Sequence, residues 1–252
     1  MKSRRRKRGG FFSDWRRVAL LAGIAGALLA VGIILLLRMN QPQEPEVVAP
    51  NPVATITMSD GHAYGYKRIG SQCWFTENLR VPTGNYHAYN EDPANVSKFG
   101  YLYSWYTAVG VTEDDINATP LTNTADDGTS YVQGICPAGW AIPSQADVQV
   151  LNTAVGTTSL LKDPSTEYWL PGYEGLPGGT GFNARGGGRY NAAMNRYEDL
   201  MTGFHFWESD AIPGSISILS ACVAYYCDTV LVVEPNQKND RKSIRCIRKK
   251  TH

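Results

Sequence analysis

The sequence is poor in the residues and motifs that carry most enzyme chemistry. No Gly-x-Ser-x-Gly elbow is present, and no Gly-Lys-Ser/Thr follows the glycine-rich stretch PGYEGLPGGTGFNARGGGRY. These absences argue against an elbow-type nucleophile and a phosphate-cradling loop, so we interpret the glycines as tight turns between short strands. Histidine is equally scarce, and the four present have no metal-binding spacing: His62, His87, His205 and His252.

Charge is absent from residues 18–37, which read VALLAGIAGALLAVGIILLL. At about 1.5 Å per residue this run spans roughly 30 Å as a helix, the thickness of a bilayer's hydrocarbon core. A cleaved signal peptide is the alternative, but its apolar stretch usually has only about 7–15 residues and ends at small residues. Here the run is longer and ends LLLRMNQPQ. We therefore predict an uncleaved transmembrane helix.

The flanks of this run predict its orientation. Residues 1–17 carry eight Lys/Arg and one acid, Asp14, and such a basic flank stays in the cytoplasm. The same cluster is also typical of nucleic-acid binding, but beside a membrane span we favour the topological interpretation. The chain after Arg38 is then periplasmic or extracellular. Within the span a small-xxx-small spacing, which favours a homodimer but also arises by chance, is formed by Ala22, Gly26 and Ala30.

The exported part begins with a spacer and continues as one domain. Residues 38–54 contain four prolines, which favour an extended, semi-rigid linker. Without residues 1–38 the chain has 24 − 9 = 15 Lys/Arg and 23 − 1 = 22 Asp/Glu, a net charge of −7. That balance excludes a nucleic-acid binder, which needs a basic surface. Residues 55–252 therefore form the predicted extracytoplasmic domain.

The pattern in this domain predicts an α+β fold dominated by short strands. AYGYKRI, Gly70-Ser71 and QCWFTENL read as a hairpin, and periodicity leaves YLYSWYTAV open between helix and strand. A helix should follow Pro143, with Ser144 capping the amide of Asp147 and Gly156 ending it. Its buried face would be Val148, Leu151 and Val155. Further strand-like pieces are FHFWES, ISILSACVAYYC, TVLVVE and SIRCIR.

Six distinctive phrases follow one another in this domain: IGSQCWFTENLR, FGYLYSWYTAV, GICPAGWAIPSQADVQVL, GFNARGGGRY, FHFWESD and SIRCIR. In this order they resemble the successive signatures of the Fibrobacter succinogenes major paralogous domain family. The resemblance implies an exported or surface protein of bacteria, with a C-type-lectin-like fold related to formylglycine-generating enzymes and containing one or two helices. Members mostly have no assigned catalytic activity, and many are envelope or adhesive proteins. This chain departs from the family in its membrane anchor and in FHFWESD, where Trp-Trp-Ser-Ser is usual.

Five cysteines, all in the exported part, suit an oxidising compartment and leave one unpaired. We predict a bridge between Cys136, before the helix, and Cys246, in the last strand; two buried free thiols are the alternative. Cys222 and Cys227 resemble the copper-binding pair of formylglycine-generating enzymes, and thiolates do bind copper(I) well. The Gly-Gly-Ser context of those enzymes is missing, so we favour a structural disulfide, with Cys73 free.

Two more candidate sites lie in the last third of the chain. EPNQKND resembles the calcium and sugar ligands of C-type lectins, and an ordinary turn is the preferred alternative; the calcium candidates are Glu234, Asn236, Asn239 and Asp240. About half of the aromatic residues between 204 and 226, Phe204 among them, are expected to be buried. The others could stack on sugars or anchor a protein partner. The predicted ligand-binding residues are Phe206, Trp207, Asp210, Tyr225 and Tyr226.

These observations predict a non-enzymatic, membrane-anchored module that binds a glycan or an envelope protein, without a cofactor unless calcium binds. One alternative is a copper-dependent cysteine oxidase, which requires reduced Cys222 and Cys227. Another is a retroelement-diversified receptor, since proteins of that kind share the fold. A near-copy of the codons for residues 204–245 beside the gene would distinguish that receptor.

Overall fold

The computed structural model describes residues 54–113, 119–177, 179–211, 217–227 and 229–250. The chain divides into two units, Met1–Asn51 and Pro52–His252, and every described residue belongs to the second. The predicted tail, the predicted span at 18–37 and the linker up to residue 53 lie outside the described residues. Among the described ranges, no helix is both long and apolar enough to cross a membrane.

The domain is mainly sheet with few helices, in agreement with the predicted α+β class. The described residues contain three α-helices rather than the expected one or two: α1 (Ala94–Phe99), α2 (Trp105–Val109) and α3 (Gln145–Val155). Two 3-10 helices cover Tyr89–Glu91 and Thr158–Leu160. The strands are β1 (Ala54–Thr57), β2 (Ala63–Ile69), β3 (Gln72–Phe75), β4 (Tyr86–His87), β5 (Leu102–Ser104), β6 (Thr122–Thr124), β7 (Ser130–Val132), β8 (Trp140–Ala141), β9 (Gly187–Asn191), β10 (Arg196–Leu200), β11 (Gly203–Ala211), β12 (Ser217–Ala224), β13 (Leu231–Gln237), β14 (Arg241–Lys242) and β15 (Ile247–Arg248).

One sheet of five strands joins the beginning and end of the domain. Its order is β1-β2-β3-β15-β8, with every pair antiparallel. The predicted hairpin forms β2 and β3, and Ile69 pairs with Gln72 across the Gly70-Ser71 turn. The last strand, β15, lies between β3 and β8, so it ties the C-terminal segment to the middle of the chain.

A second sheet of eight strands contains three of the strand-like pieces predicted for the last third, FHFWES, ISILSACVAYYC and TVLVVE, whereas SIRCIR contributes β15 to the first sheet. Its order is β13-β12-β11-β9-β14-β5-β4, with β10 paired to β9. β9 runs parallel to β11 where Gly188 pairs with Phe204. A side chain at residue 188 would lie 2.3 Å from the carbonyl oxygen of Glu198. This close approach explains one glycine of the GGG run, since only glycine fits there.

Two helices show how capping residues position the chain. The segment YLYSWYTAV, for which periodicity did not distinguish helix from strand, contains both. β5 ends at Ser104, and the Ser104 side chain accepts a hydrogen bond from the amide of Thr107 and so caps the start of α2. The predicted helix α3 begins after Ser144, which forms a full capping box with Asp147, and ends at Gly156. Its predicted face, Val148, Leu151 and Val155, is buried.

The core consists of two clusters of buried apolar side chains. One packs the buried face of α3 against Trp74, Trp169, Phe182, Phe204 and Phe206. The other surrounds the disulfide between Cys136 and Cys246, which the structure forms as predicted. Trp140 and Ile142 are buried in this second cluster, so the stretch GICPAGWAI is held by the disulfide and by these two side chains.

Candidate functional site

Buried polar side chains are concentrated on one face of the β11–β12 hairpin. His205 pairs with Cys222 and Trp207 pairs with Ser220, and residues directly opposite in a sheet share a face. Lys242 reaches the same face from β14. We call this group, together with the partly exposed Asp199 of β10, the hairpin cluster; its buried polar members are His205, Ser220, Cys222, Asn236 and Lys242.

The hairpin cluster contains an acid, an imidazole and a thiol, but not a nucleophilic triad. Nε2 of His205 lies 2.9 Å from Oδ2 of Asp199 and 3.8 Å from Sγ of Cys222, while its Nδ1 is buried without a hydrogen-bond partner. A triad needs one ring nitrogen on the carboxylate and the other on the nucleophile. Here one nitrogen contacts both groups. The arrangement therefore does not place a base to activate the thiol.

Burial sets the protonation of this cluster. It lowers the pKa of His205 to about 4, against the opposing effect of Asp199, and raises the pKa of the Cys222 thiol to about 12. Both groups are therefore neutral at neutral pH, and a neutral thiol is a poor nucleophile. The hydrogen bond from His205 lowers the pKa of Asp199, whose backbone has a positive φ of 65°.

Lys242 is the fully buried lysine of the hairpin cluster. Its side chain is inaccessible to solvent, and Nζ donates to Oγ of Ser220 at 2.9 Å and to Oδ1 of Asn236 at 2.7 Å. The ammonium also lies 5.1 Å from the centre of the Trp207 ring. Burial lowers its pKa to about 7. Both hydrogen-bond acceptors are neutral groups.

The predicted disulfide between Cys222 and Cys227 was wrong, because both thiols are free in the structure. The Cys222 side chain is buried on β12 opposite His205, whereas Cys227 follows the turn at Tyr225-Tyr226, beyond the end of that strand. Cys73 is also free, as expected. No group of three or more His, Cys, Asp or Glu side chains suited to a metal occurs in the parts of the chain that the structure describes.

Two of the predicted ligand-binding aromatics are core residues. Phe206 and Trp207 are both fully buried, and so is Phe204. Phe206 faces the cluster around α3, and Nε1 of Trp207 donates to the carbonyl of Tyr103 at 2.7 Å. Both faces of β11 are covered, so the expected alternation of buried and exposed positions does not occur here. The prediction that these two rings contact a ligand was therefore wrong.

Asp210, also predicted to contact a ligand, lies at the start of α3. Its Oδ2 accepts from the backbone amide of Gln145 at 2.6 Å, which stabilises the first turn of the helix. It lines a cavity of about 180 Å³ together with Asp147 and Lys249, whose charged groups contact each other at 2.5 Å. Its contacts in the structure are those of a helix cap.

Tyr225 and Tyr226 are exposed, as the prediction for them requires. Their side chains are 45% and 68% exposed, and their ring centres lie 5.0 Å apart. A third ring, that of Tyr173, lies 4.5 Å from Tyr225 and was not predicted. The amide of Tyr225 also donates to the carbonyl of Thr202, which fixes the turn. We call Tyr173, Tyr225 and Tyr226 the tyrosine surface.

The calcium candidates are divided between a strand and a turn: Glu234 and Asn236 belong to β13, and Asn239 and Asp240 lie in the turn that follows it. Asn236 is buried and its Oδ1 accepts from Lys242, so a protein cation already contacts that oxygen. Asn239 is exposed, and Asp240 accepts from the amides of Gln237 and Ala192. Calcium needs several oxygens directed at one point. The side chain of Glu234 lies outside the described residues.

Glu208 is a buried acid that sequence reasoning missed. It is fully buried on β11, and neither carboxylate oxygen has a hydrogen-bond partner. Burial, and to a smaller extent the charge of Asp210, raises its pKa to about 7. Lys242 was missed in the same way. The sequence carries a weak signal for Glu208, a charged residue inside the apolar strand-like phrase FHFWES, but none for Lys242, which stands in the charged run NDRK.

The architecture defines the class: a mainly β domain with a buried polar face behind an exposed aromatic turn. The chain belongs to the Fibrobacter succinogenes major domain family, whose family model matches residues 68–248. This confirms the resemblance found in the six ordered phrases. Comparison with curated proteins and with solved structures finds no match.

Proposed function

We propose that the protein is a non-enzymatic, membrane-anchored binding module that displays a C-type-lectin-like domain outside the cytoplasm, with a glycan of the cell envelope as its ligand. The observation that carries the proposal is the tyrosine surface, in which two rings are largely exposed and a third supports them. Aromatic faces stack well on the apolar faces of sugar rings, and the tyrosine hydroxyls suit sugar hydroxyls.

The geometry behind the tyrosine surface supports binding rather than turnover. Tyr225 directly follows β12, whose face carries the hairpin cluster, so the turn is attached to a well-packed strand. A rigid turn keeps the loss of conformational entropy on binding small. Burial keeps Cys222 protonated, which opposes the thiolate chemistry of the oxidase alternative.

The test is binding of the full-length protein to purified peptidoglycan sacculi and to an oligosaccharide array. We expect Tyr225→Ala and Tyr226→Ala each to weaken binding by about tenfold, or about 1.4 kcal/mol, because one stacking face is lost. Tyr86→Ala, at a tyrosine 36% exposed elsewhere, is the matched control and should bind normally. Equal binding by all four proteins would rule out the tyrosine surface as the contact.

The free state of Cys222 and Cys227 keeps the copper-dependent oxidase as a second candidate. Titration with copper(I) separates the two functions. A binding module retains no copper after desalting and does not oxidise a cysteine peptide. One copper retained by the native protein and lost in Cys222→Ser and Cys227→Ser would favour the oxidase.

A further inference from the structure

Lys242 and Asn236 bring an amine and a carboxamide together in the interior. They lie on β14 and β13, on either side of the turn at residues 238–240. Nζ is 2.7 Å from Oδ1, and Cγ, the electrophilic carbon, is one bond further. The two side chains are 0% and 6% exposed. Water is therefore kept from both groups, and they are held in contact.

Ser220 bridges the same two groups. Its Oγ is 2.9 Å from Nζ of Lys242 and 2.9 Å from Nδ2 of Asn236. A hydroxyl in this position can accept a proton from one nitrogen and donate a proton to the other. The three side chains thus contain a nucleophile, an electrophilic carbon with its leaving nitrogen, and a proton relay between the two nitrogens.

The surroundings favour the uncharged amine. Burial lowers the pKa of Lys242 to about 7, so a large fraction of the side chain is a neutral nucleophile at neutral pH. The nearby Trp207 ring and the two neutral acceptors keep the group in place in either protonation state. Holding two reactants at contact distance replaces a bimolecular encounter and greatly raises the rate of their reaction.

We propose that Lys242 and Asn236 join in an intramolecular isopeptide bond. The neutral Nζ attacks Cγ of Asn236, so that an Nζ–Cγ bond forms and the Cγ–Nδ2 bond breaks. One proton passes from Nζ through Oγ of Ser220 to Nδ2, which leaves as ammonia. The reaction needs no oxidant, reductant or cofactor. The product is a covalent link between β13 and β14 that reducing agents cannot open.

The test is a mass measurement on the full-length protein, reduced and alkylated. We expect a mass lower by one ammonia than that calculated for the sequence with its five cysteines alkylated. Trypsin should then release one branched peptide in which residues 197–238 are joined to residues 242–245, because a modified Lys242 is no longer cleaved. Tandem mass spectrometry assigns the link. A normal mass and two separate peptides would overturn the proposal.

The branched peptide also separates the bond from a succinimide at Asn236, which loses ammonia without joining two peptides. Only the joined peptide supports the proposal; an unjoined, lighter peptide 197–238 contradicts it. Lys242→Arg should restore the normal mass, whereas Lys238→Gln, at a neighbouring lysine over the Trp105 ring, should keep the ammonia loss. Ser220→Ala should slow the reaction and leave a larger unlinked fraction. The wild-type map decides the matter even where a variant fails to fold.

Discussion

At the residue scale, burial controls the charge state of the unusual groups in this domain. His205, Cys222 and Lys242 share one face of the sheet. Desolvation lowers the pKa of His205 and Lys242 and raises that of Cys222, which favours the neutral form of each group. Glu208 is shifted for the same reason, but no hydrogen-bond partner compensates it. An unpaired buried acid opposes folding whenever it ionises.

The pH dependence of stability should therefore change in Glu208→Gln. The native pKa is raised from 4.5 to about 7, so the native state binds more protons than the unfolded state between these values. The contribution of Glu208 is fully present below pH 4.5 and is lost as the pH rises through 7. We expect the stability of the variant relative to wild type to increase by about 3 kcal/mol between pH 4.5 and pH 8.

Urea unfolding at both pH values measures this difference. The surface variant Glu167→Gln serves as the control, since its side chain is 49% exposed. A difference between variant and wild type that is the same at both pH values would show that the pKa of Glu208 is not raised in the native protein.

At the element scale, short capping motifs decide where helices start. Ser104 ends β5 and begins α2, and Ser144 begins α3 within a reciprocal capping box. Each motif satisfies backbone amides that a helix leaves unpaired at its first turn. The glycine-rich stretch is different, because Gly188 is required by a neighbouring strand rather than by a turn.

Replacing the cap of α3 should destabilise the domain measurably. In Ser144→Ala the amide of Asp147 loses its acceptor, and we expect a loss of about 1 kcal/mol in the free energy of unfolding. The matched control is Ser97→Ala, an exposed serine inside α1. Chemical denaturation of both variants measures the effect. Equal stabilities would mean that Asp210 and Asp147 alone are sufficient to stabilise this helix start.

At the scale of the whole molecule, the domain is closed by joining its end to its middle. β15 pairs with both β3 and β8, and the disulfide links Cys136 to Cys246 beside that junction. The bridge closes a loop of 110 residues and lies inside the aromatic cluster around Trp140. Covalent and non-covalent closure therefore occur at the same place.

Removing this bridge should cost more than any other change considered. In the chain-entropy model a closure of this length stabilises by about 4–5 kcal/mol, so we expect a loss approaching that in the double variant Cys136→Ala/Cys246→Ala. The control is Cys73→Ala, which removes a free thiol. Thermal and urea unfolding compare the two. A double variant as stable as the control would show that pairing of β15 alone closes the domain.

The sequence by itself determined the features that depend on local chemistry and on ordered motifs. The hairpin at Gly70-Ser71, the capped helix after Pro143 and the family all follow from neighbouring residues or from phrases in order. The Cys136–Cys246 bridge was also predicted, from an oxidising compartment and from the positions of the two cysteines before the helix and in the last strand. The segment YLYSWYTAV stayed open because its strand-to-helix change depends on a single cap, Ser104.

Tertiary structure alone decided which side chains face solvent and which polar groups meet. Phe206 and Trp207 are buried because neighbouring elements cover both faces of β11. The alternation of residues along a single strand does not predict that both faces are covered. Lys242, Asn236 and Ser220 come from three strands, and no sequence spacing indicates their contact. Exposure and long-range polar contacts depend on how strands stack and pair, and only the folded chain sets that arrangement.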